Sequence, residues 1–405
     1  MEGIDLLNYS SLINILTLRF DSTIKPNLPV KLPVDIQINN VPPQIDFLEK
    51  IICDEIRNKV NNSGSDEVSI ALSGGVDSTL MLCLLRKVFP KIKINAISIK
   101  FADSFDETIN AAKIAETFDA QHHIVEIKNY FEELPKAISI INKPFWDLHW
   151  YYVVKKSQKL GKILISGDGG DEIFGGYTFR YKNYLKQSTI NTDLTNKISN
   201  YLSCHERDHV PDQEKIFGKK IQFSWQYIHN QLKPYFENEL SLIDQVFLAD
   251  FNGKLLYNFN PINNNISNYF GIEMFTPLLS KKIISLGLNL NSKFKYDEIS
   301  NIGKLPLRKI LENNNADHLV SDLKLGFNVN TVNLWKSFGY DLCIKYLENA
   351  NIIKEEIISK DWITKYLKNS LDDVRYINKF YGLLSTEIWY KLFITKDMTP
   401  DVKLR

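Results

Sequence analysis

The sequence predicts an α/β protein, with a parallel sheet that carries helices on both faces and a mostly helical C-terminal region. Two observations support this. Four short strand-like segments alternate with helical segments between residues 68 and 166, as a parallel sheet requires. After Tyr177 the alternation stops, and the period of the remainder is mostly helical. The 405 residues are enough for more than one domain, and we expect an N-terminal arm over 1–43, an α/β core over 44–180 and a helical region over 181–405.

The N-terminal arm contains one strand-like segment and several helix breakers. Residues 16–20 alternate apolar and polar side chains, which predicts a strand. Prolines then interrupt any long element, so the rest of the arm is interpreted as extended. These prolines are Pro26, Pro29, Pro33, Pro42 and Pro43. Apolar residues at helical spacing predict a helix over 44–60.

In the α/β core, the sequence predicts strands over 68–72, 92–99, 123–127 and 162–166. Residues 76–88 are apolar almost all round, which predicts a helix covered on several sides. Ser104 and Glu107 have the spacing of a capping box, which opens a helix running to about residue 118. In the C-terminal region, the asparagine runs 263–265 and 313–315 are interpreted as loops.

Composition argues against several classes of protein. Lys and Arg total 49 against 48 Asp and Glu, a balance that does not favour a nucleic-acid partner. No apolar run approaches the roughly 20 residues of a membrane helix, and the acidic N-terminus does not resemble a signal peptide. We therefore expect a cytoplasmic protein without a membrane partner. The four cysteines are widely scattered, which disfavours zinc, iron–sulfur and disulfide frameworks.

The strongest chemical signal is a loop that follows the strand 68–72 and opens the helix 76–88. Its glycines permit close approach of a ligand, and the helix start offers free N–H groups to an anion. It matches neither the Walker nor the dinucleotide motif, and a plain Gly-Gly turn with a serine cap rarely combines these features. A carboxylate inside a phosphate loop makes sense mainly with Mg²⁺ between them, which makes Asp77 a metal ligand. The loop reads Ser73, Gly74, Gly75, Val76, Asp77 and Ser78.

A second loop follows the strand 162–166, at the place where parallel sheets bind ligands. It interleaves three carboxylates, Asp168, Asp171 and Glu172, with five glycines between Ser166 and Tyr177. A calcium loop is the alternative, but the spacing lacks the regular ligands of an EF-hand and a strand precedes it. Asp171 is therefore predicted to contact a second Mg²⁺ or the pyrophosphate.

The two loops, in this order and spacing, resemble the synthetase domain of glutamine-dependent asparagine synthetases. That branch of the ATP pyrophosphatases includes the β-lactam synthetases and lasso-peptide cyclases, and the resemblance implies an adenine nucleotide alpha-hydrolase-like fold. It covers about residues 44–395. Shorter matches support it: Asp106-Glu107, Lys304-Leu305-Pro306-Leu307-Arg308, Lys324-Leu325-Gly326-Phe327 and Glu387-Ile388-Trp389.

The resemblance implies a ligase that uses ATP and Mg²⁺ in two steps. A substrate carboxylate would attack the α-phosphate of ATP, releasing pyrophosphate, and an amine would then displace AMP from the acyl-adenylate. Lys304 would stabilise charge at the acyl carbon, remote from the pyrophosphate. The implied residues are Lys304, Asp168 and Glu172 for catalysis, Asp77 and Asp171 for metal, and Leu72, Ser73, Gly74, Gly75, Val76, Asp77, Ser78, Ile99, Ser166, Gly167 and Asp171 for the nucleotide.

The chain departs from the family's pattern in two respects. Residue 2 is Glu2 rather than a nucleophilic cysteine, and the arm, whose residues 16–33 faintly resemble the end of a glutaminase domain, is interpreted as a remnant. Nitrogen is therefore expected from ammonia, another amine or a separate glutaminase subunit. On the substrate side, the family's Glu-x-Arg-x-Pro-Phe-Leu-Asp has Phe275 and Ser280 at the Arg and Asp positions, its Asp-Arg-x-Ser-Met begins at Asn264, and its usual Arg before Lys-x-Gly-Phe is Asp322. Aspartate is a candidate acceptor, not an assigned one.

Three other interpretations remain open at this stage. One is an amide-forming cyclase or ligase that modifies natural products or peptides. Another is a pseudoenzyme that binds nucleotide without turnover, although Asp77, Asp171 and Lys304 count against it. A tRNA-modifying pyrophosphatase is disfavoured by the neutral charge and the lack of paired cysteines.

Overall fold

A computed structural model describes residues 8–101, 106–320 and 330–405. Its main sheet has five parallel strands in the order β3-β2-β1-β4-β5. The strands are β1 (Glu67–Ala71), β2 (Lys93–Phe101), β3 (Gln121–Ile127), β4 (Ile163–Ile165) and β5 (Glu273–Phe275), and a separate hairpin pairs β6 (Tyr296–Asp297) with β7 (Ile302–Gly303).

Helices occupy much of the remaining chain. Those before and within the sheet are α1 (Tyr9–Leu18), α2 (Ile45–Ser63), α3 (Val76–Val88), α4 (Thr108–Thr117), α5 (Leu134–Ile141) and α6 (His149–Ser157). Those after β4 are α7 (Gly170–Phe174), α8 (Thr178–Gln187), α9 (Leu194–Ser203), α10 (Trp225–Phe236), α11 (Leu242–Asp250), α12 (Asn260–Phe270), α13 (Lys281–Asn289), α14 (Leu305–Asn313), α15 (Thr331–Leu334), α16 (Tyr340–Leu347), α17 (Asn351–Lys354), α18 (Lys360–Tyr366) and α19 (Val374–Phe393). Within the described ranges, no helix is both long and apolar enough to span a bilayer.

The sheet separates two hydrophobic cores because successive side chains of a strand point to opposite faces. Along β2, Ala96 belongs to the core that contains α2, α3, α4 and α14, whereas Ile97 belongs to the core that contains α5, α6 and α19. Helices therefore cover both faces of the parallel sheet. The predicted fold class, including the helical C-terminal region, is confirmed.

Two local predictions are wrong. Residues 16–20 do not form a strand, because Leu12, Ile15 and Leu16 recur at helical spacing. The helix α1 is buried from Leu12 to Leu18, with its apolar side chains in the larger core. The asparagines 263–265 do not form a loop either. They lie inside α12, which buries Asn263, Ile266 and Ser267, so tertiary packing overrides the weak helix propensity of asparagine.

Other predictions fall beside or outside these elements. The capping-box Ser104 lies outside the described residues, as do Asp322 and the Lys324-Leu325-Gly326-Phe327 match.

The short strand β5 was not predicted, since three residues carry too little alternation to detect. It extends the sheet beside β4 and positions residues 276–280 near the end of that strand.

Candidate active site

Both predicted loops lie at the same edge of the sheet. The first connects β1 to α3 and the second connects β4 to α7, and β1 pairs directly with β4. Because parallel strands end at a common edge, the two loops meet beyond their carboxyl ends. This arrangement was expected from the order of strands and motifs in the sequence.

The first loop is a turn that leaves the start of α3 open. Gly74 has φ +76°, a left-handed conformation that suits glycine. Ser78 Oγ accepts a hydrogen bond from the Ser73 backbone N–H at 3.2 Å and donates to the Gly75 carbonyl at 3.2 Å. Gly75, the N-cap residue of α3, has no side chain to cap the helix, so the positive end of α3 faces an incoming anion.

The glycines of the second loop allow the two loops to touch. A Cβ atom on Gly167 would lie 2.7 Å from the Cβ of Asp77, and one on Gly170 would overlap the Asp77 carboxylate. A Cβ on Gly176 would overlap both the Asp171 carboxylate and the Lys304 side chain. These three glycines are therefore required by the close approach of the loops and of Lys304.

Lys304 connects the two predicted metal ligands. Its Nζ lies 2.5 Å from Asp77 Oδ2 and 2.7 Å from Asp171 Oδ1. Burial disfavours the charged ammonium, but the attraction of Asp171 and Asp77 outweighs burial and raises the pKa of Lys304. The expectation that Lys304 is remote from these residues is wrong. The sequence could not show this, because 227 positions separate Lys304 from Asp77.

A cavity of about 280 Å³ opens over these groups. Each residue of the Ser73–Ser78 loop lines it, as do Gly167, Asp168, Asp171, Glu172 and Lys304. Leu72, Ile99 and Ser166 do not line it: Leu72 and Ile99 are packed in the two cores, and Ser166 is buried with its hydroxyl 3.3 Å from that of Thr276. The structure thus brings most of the predicted residues together and places these three behind the surface.

The two other predicted catalytic carboxylates have different surroundings. Asp168 accepts a hydrogen bond from Asn263 Nδ2 at 2.9 Å, and desolvation raises its pKa to about 7. A carboxylate with this pKa exchanges protons readily near neutral pH. Glu172 is 3% exposed and accepts a hydrogen bond from the Tyr177 hydroxyl at 2.5 Å, so it positions that ring at the cavity wall.

Sequence reasoning missed several residues that line the cavity. Arg308 lies in the Lys304–Arg308 match, but no role followed from its position there; its Nε donates to the Gly303 carbonyl at 3.2 Å. His149 and Trp150 lie in an aromatic segment before the second loop, and no motif pointed to them. Tyr177 ends the second loop and Thr178 begins α8 directly after it, so their position beside the motif was the available sequence signal for both.

The donor set fits Mg²⁺ bound together with a phosphate. In the described part of the chain, no group of three or more His, Cys, Asp or Glu side chains is placed to hold a metal ion. Mg²⁺ commonly uses one or two carboxylates and completes its shell with substrate phosphates and water. Asp77 and Asp171, which already share one cation, match that requirement.

Comparison with known proteins identifies the family. A family model described as asparagine synthase matches residues 58–391, most of the chain. The chain belongs to the asparagine synthase family. The match includes both loops and Lys304, and it confirms the resemblance inferred from the motifs.

Relatives in the asparagine synthase family are distant from this chain. A glutamine-hydrolysing asparagine synthetase of Bacillus subtilis is 23% identical over an alignment covering 94% of this chain and 65% of that protein. A Methanocaldococcus jannaschii protein described as a glutamine-hydrolysing asparagine synthetase is 33% identical over 34% of this chain and 27% of its own length. The chain thus spans less than two thirds of the length of these relatives. An NH3-dependent NAD synthetase from Campylobacter jejuni matches 50% of this chain and 92% of its own at 18% identity, with a TM-score of 0.27.

Proposed function

We propose that the chain is an AMP-forming amide ligase. A carboxylate oxygen of the acceptor attacks the α-phosphorus of ATP, the bond to the β-phosphate oxygen breaks, and pyrophosphate leaves. An amine nitrogen then attacks the acyl carbon of the adenylate, and AMP departs with the electron pair of the broken C–O bond. Family membership and the residues that line the cavity support this reaction.

The observation that carries the proposal is the convergence of Asp77, Asp171 and Lys304 over one cavity. Catalysis of phosphoryl and nucleotidyl transfer depends on positioning and on positive charge where negative charge develops. Backbone N–H groups at the start of α3 bind the departing pyrophosphate, and the Lys304 ammonium neutralises charge beside it. Asp77 and Asp171 would hold Mg²⁺, whose charge polarises the phosphate oxygens when it is bound.

Asp168 is proposed as the group that accepts a proton in the second step. Its carboxylate lines the cavity, and its pKa of about 7 suits a general base. Glu172 is proposed as a positioning residue, since its described partner is the Tyr177 hydroxyl at the cavity wall. Leu72, directly after β1, and Ile99, near the end of β2, remain candidates for contact with the adenine, and Ser166 for contact with the ribose.

A screen of carboxylates tests the proposal. The purified protein is incubated with ATP, Mg²⁺ and single carboxylates, with aspartate as the first candidate, and pyrophosphate and AMP are measured. We expect one class of carboxylate to stimulate equal release of both products once an amine is present. Release of ADP and phosphate instead would contradict AMP formation.

The nitrogen donor is proposed to be ammonia or an amine, delivered freely or by a separate glutaminase.

A pseudoenzyme that only binds nucleotide is the second candidate. The observation that favours it is the bond of Lys304 to both carboxylates, which occupies the groups proposed to hold Mg²⁺. This candidate predicts that ATP binds without Mg²⁺ and that no carboxylate stimulates pyrophosphate release.

A further inference from the structure

A second cavity, of about 520 Å³, adjoins the first. Asp168 and Phe259 line both cavities, so they form the wall between them. Phe259 ends a π-helical segment, Phe251–Phe259, that joins α11 to α12. The exposed residues Lys281 and Lys282 also line the second cavity, which places its mouth at the protein surface. A molecule in this cavity would reach the reaction centre beside Asp168.

The lining of this cavity is largely uncharged. Asn264, Phe275 and Ser280, which stand where the family pattern has charged residues, all line it. Its charged lining residues are Asp168 and Glu55, which are partly buried, and the two lysines at its mouth. The interior therefore combines apolar surface with hydrogen-bonding groups and presents a carboxylate at its inner end.

We propose that this cavity binds the nitrogen donor, and that the donor is an organic primary amine rather than ammonia. The inference rests on the proposed function, which supplies the acyl-adenylate. The amine would lie with its nitrogen at Asp168 and its organic part against side chains such as Phe275 and Met274. The lone pair of the amine nitrogen attacks the acyl carbon, the C–O bond to AMP breaks, and one N–H proton passes to the Asp168 carboxylate.

Charge and size select this class of ligand. The carboxylate of Asp168 attracts an N–H donor and repels a second carboxylate, so the inner end of the cavity suits the amine better than the acid. A water molecule occupies roughly 30 Å³ in the liquid, and ammonia is of similar size. Cavities of about 300–1,000 Å³ hold whole organic ligands, so 520 Å³ far exceeds what ammonia needs.

Direct binding measurements test the inference. The full chain, with AMP present, is titrated with benzylamine and separately with ammonium chloride at pH 8.5 by calorimetry. We expect benzylamine to saturate one site with a dissociation constant at least tenfold below that of ammonium. Equal affinities, or no saturable binding of benzylamine, would overturn the inference. This comparison uses the unaltered protein and does not depend on any variant.

A matched pair of substitutions locates the site. Asn264→Trp fills the cavity from α12 and is expected to weaken benzylamine binding at least tenfold while AMP affinity is unchanged. Asn230→Trp makes the same change at an exposed position of α10 and serves as the control. Unchanged benzylamine binding in Asn264→Trp would contradict the assignment to this cavity.

The inference and the proposed function fail in different ways. Carboxylate-dependent pyrophosphate release reports formation of the adenylate and does not require the amine site. If benzylamine binds while no carboxylate releases pyrophosphate, the cavity assignment stands and the ligase proposal falls. If pyrophosphate is released but benzylamine does not bind, only the amine inference falls.

Discussion

Lys304 Nζ lies 2.7 Å from Asp171 Oδ1, and the same atom lies 2.5 Å from Asp77 Oδ2. One ammonium is therefore shared by two carboxylates that come from different loops. The ammonium lies between the two groups proposed to hold Mg²⁺. A divalent cation must compete with Lys304 for these oxygens, which couples metal binding to the position of the lysine.

We expect Lys304→Ala to bind Mn²⁺ more tightly than the unaltered protein in the absence of ATP, because two adjacent carboxylates lose their cation. Amide formation should fall by roughly a hundred- to a thousand-fold, the usual cost of losing one preorganised charged donor. Arginine at this position should not restore the full rate, since a planar guanidinium does not match a compact ammonium. Electron paramagnetic resonance of Mn²⁺ and product formation measure the two effects.

Lys309→Ala is the control for this substitution. Lys309 lies in α14, which begins directly after Lys304, and it is about half exposed and pairs with Glu312. Lys309→Ala should change neither the affinity for Mn²⁺ nor the rate of amide formation. A parental rate of amide formation in Lys304→Ala would show that this lysine has no part in the reaction.

Asp77→Asn should abolish Mg²⁺-dependent ATP turnover while the fold is retained. The substitution keeps the shape of the side chain but removes the charge that would hold the cation against the pyrophosphate. Circular dichroism checks the fold, and pyrophosphate release checks turnover. Asp119→Asn, at a side chain that is 99% exposed, is the control. Unaltered turnover in Asp77→Asn would remove this residue from the metal site.

Glu133 provides a prediction about stability. Its carboxylate contacts Lys155 at 2.6 Å and Lys403 at 2.8 Å and accepts a hydrogen bond from Tyr151. Burial alone would raise its pKa, but these partners outweigh burial and lower the pKa to about 2. A lowered carboxyl pKa stabilises the fold above the unfolded value of 4.5, and this stabilisation is lost as pH falls from there toward 2.

Glu133→Gln should therefore lower the free energy of unfolding by about 1–3 kcal/mol at pH 7. The difference from the unaltered protein should be smaller at pH 3. Urea denaturation at both pH values measures it, with the exposed Glu312→Gln as the control. An equal loss at both pH values would mean that the charge of Glu133 does not cause the stabilisation.

Local patterns predicted much of the sheet and both loops. The helix Val76–Val88 has the predicted bounds, and strands β1 to β4 lie within two residues of the predicted ones, because buried parallel strands are continuous apolar runs bounded by turns. The loops could be placed together because each follows a strand directly. Their contact depends on Gly167 and Gly170 against Asp77, and the sequence showed these glycines without showing what they approach.

The parts of the fold and of the site that were not predicted depend on contacts between distant parts of the chain. Helix α1 is stabilised by burial against α19, and the Asn263 region is helical because one side of it is buried. The position of Lys304 likewise follows from the packing of α14 on the core rather than from its own neighbours. No period or motif within 20 residues carries such information.

The cysteines allow a prediction about glutamine. All four are buried, and desolvation raises the pKa to about 11 in Cys53, about 12 in Cys83 and about 11 in Cys204, and well above its ordinary value in Cys343. Such thiols stay protonated at pH 8 and are poor nucleophiles. We expect the 405-residue chain alone to release no glutamate from glutamine. Glutamate release that stops on alkylation of a cysteine would refute this.

The last prediction concerns Asp168 and pH. Burial raises its pKa from the ordinary value of 3.8 to about 7, so the carboxylate is mostly protonated below pH 7 and mostly ionised above it. A general base acts in its ionised form, so amide formation at saturating ATP and Mg²⁺ should rise through pH 7 and level off above it. The proposed base therefore gives the pH–rate profile of amide formation one ascending limb near pH 7.

Asp168→Asn should lower amide formation and remove that limb, while adenylate formation persists. Asparagine still accepts the hydrogen bond from Asn263, so the local structure is preserved. Because a raised carboxyl pKa means that ionisation opposes folding, stability from this group is lost as pH rises from 3.8 toward 7. The variant should therefore unfold at an equal or higher urea concentration than the parent at pH 8. A retained limb near pH 7 in the variant would assign the titration to another group, and a large loss of stability would make Asp168 a structural residue.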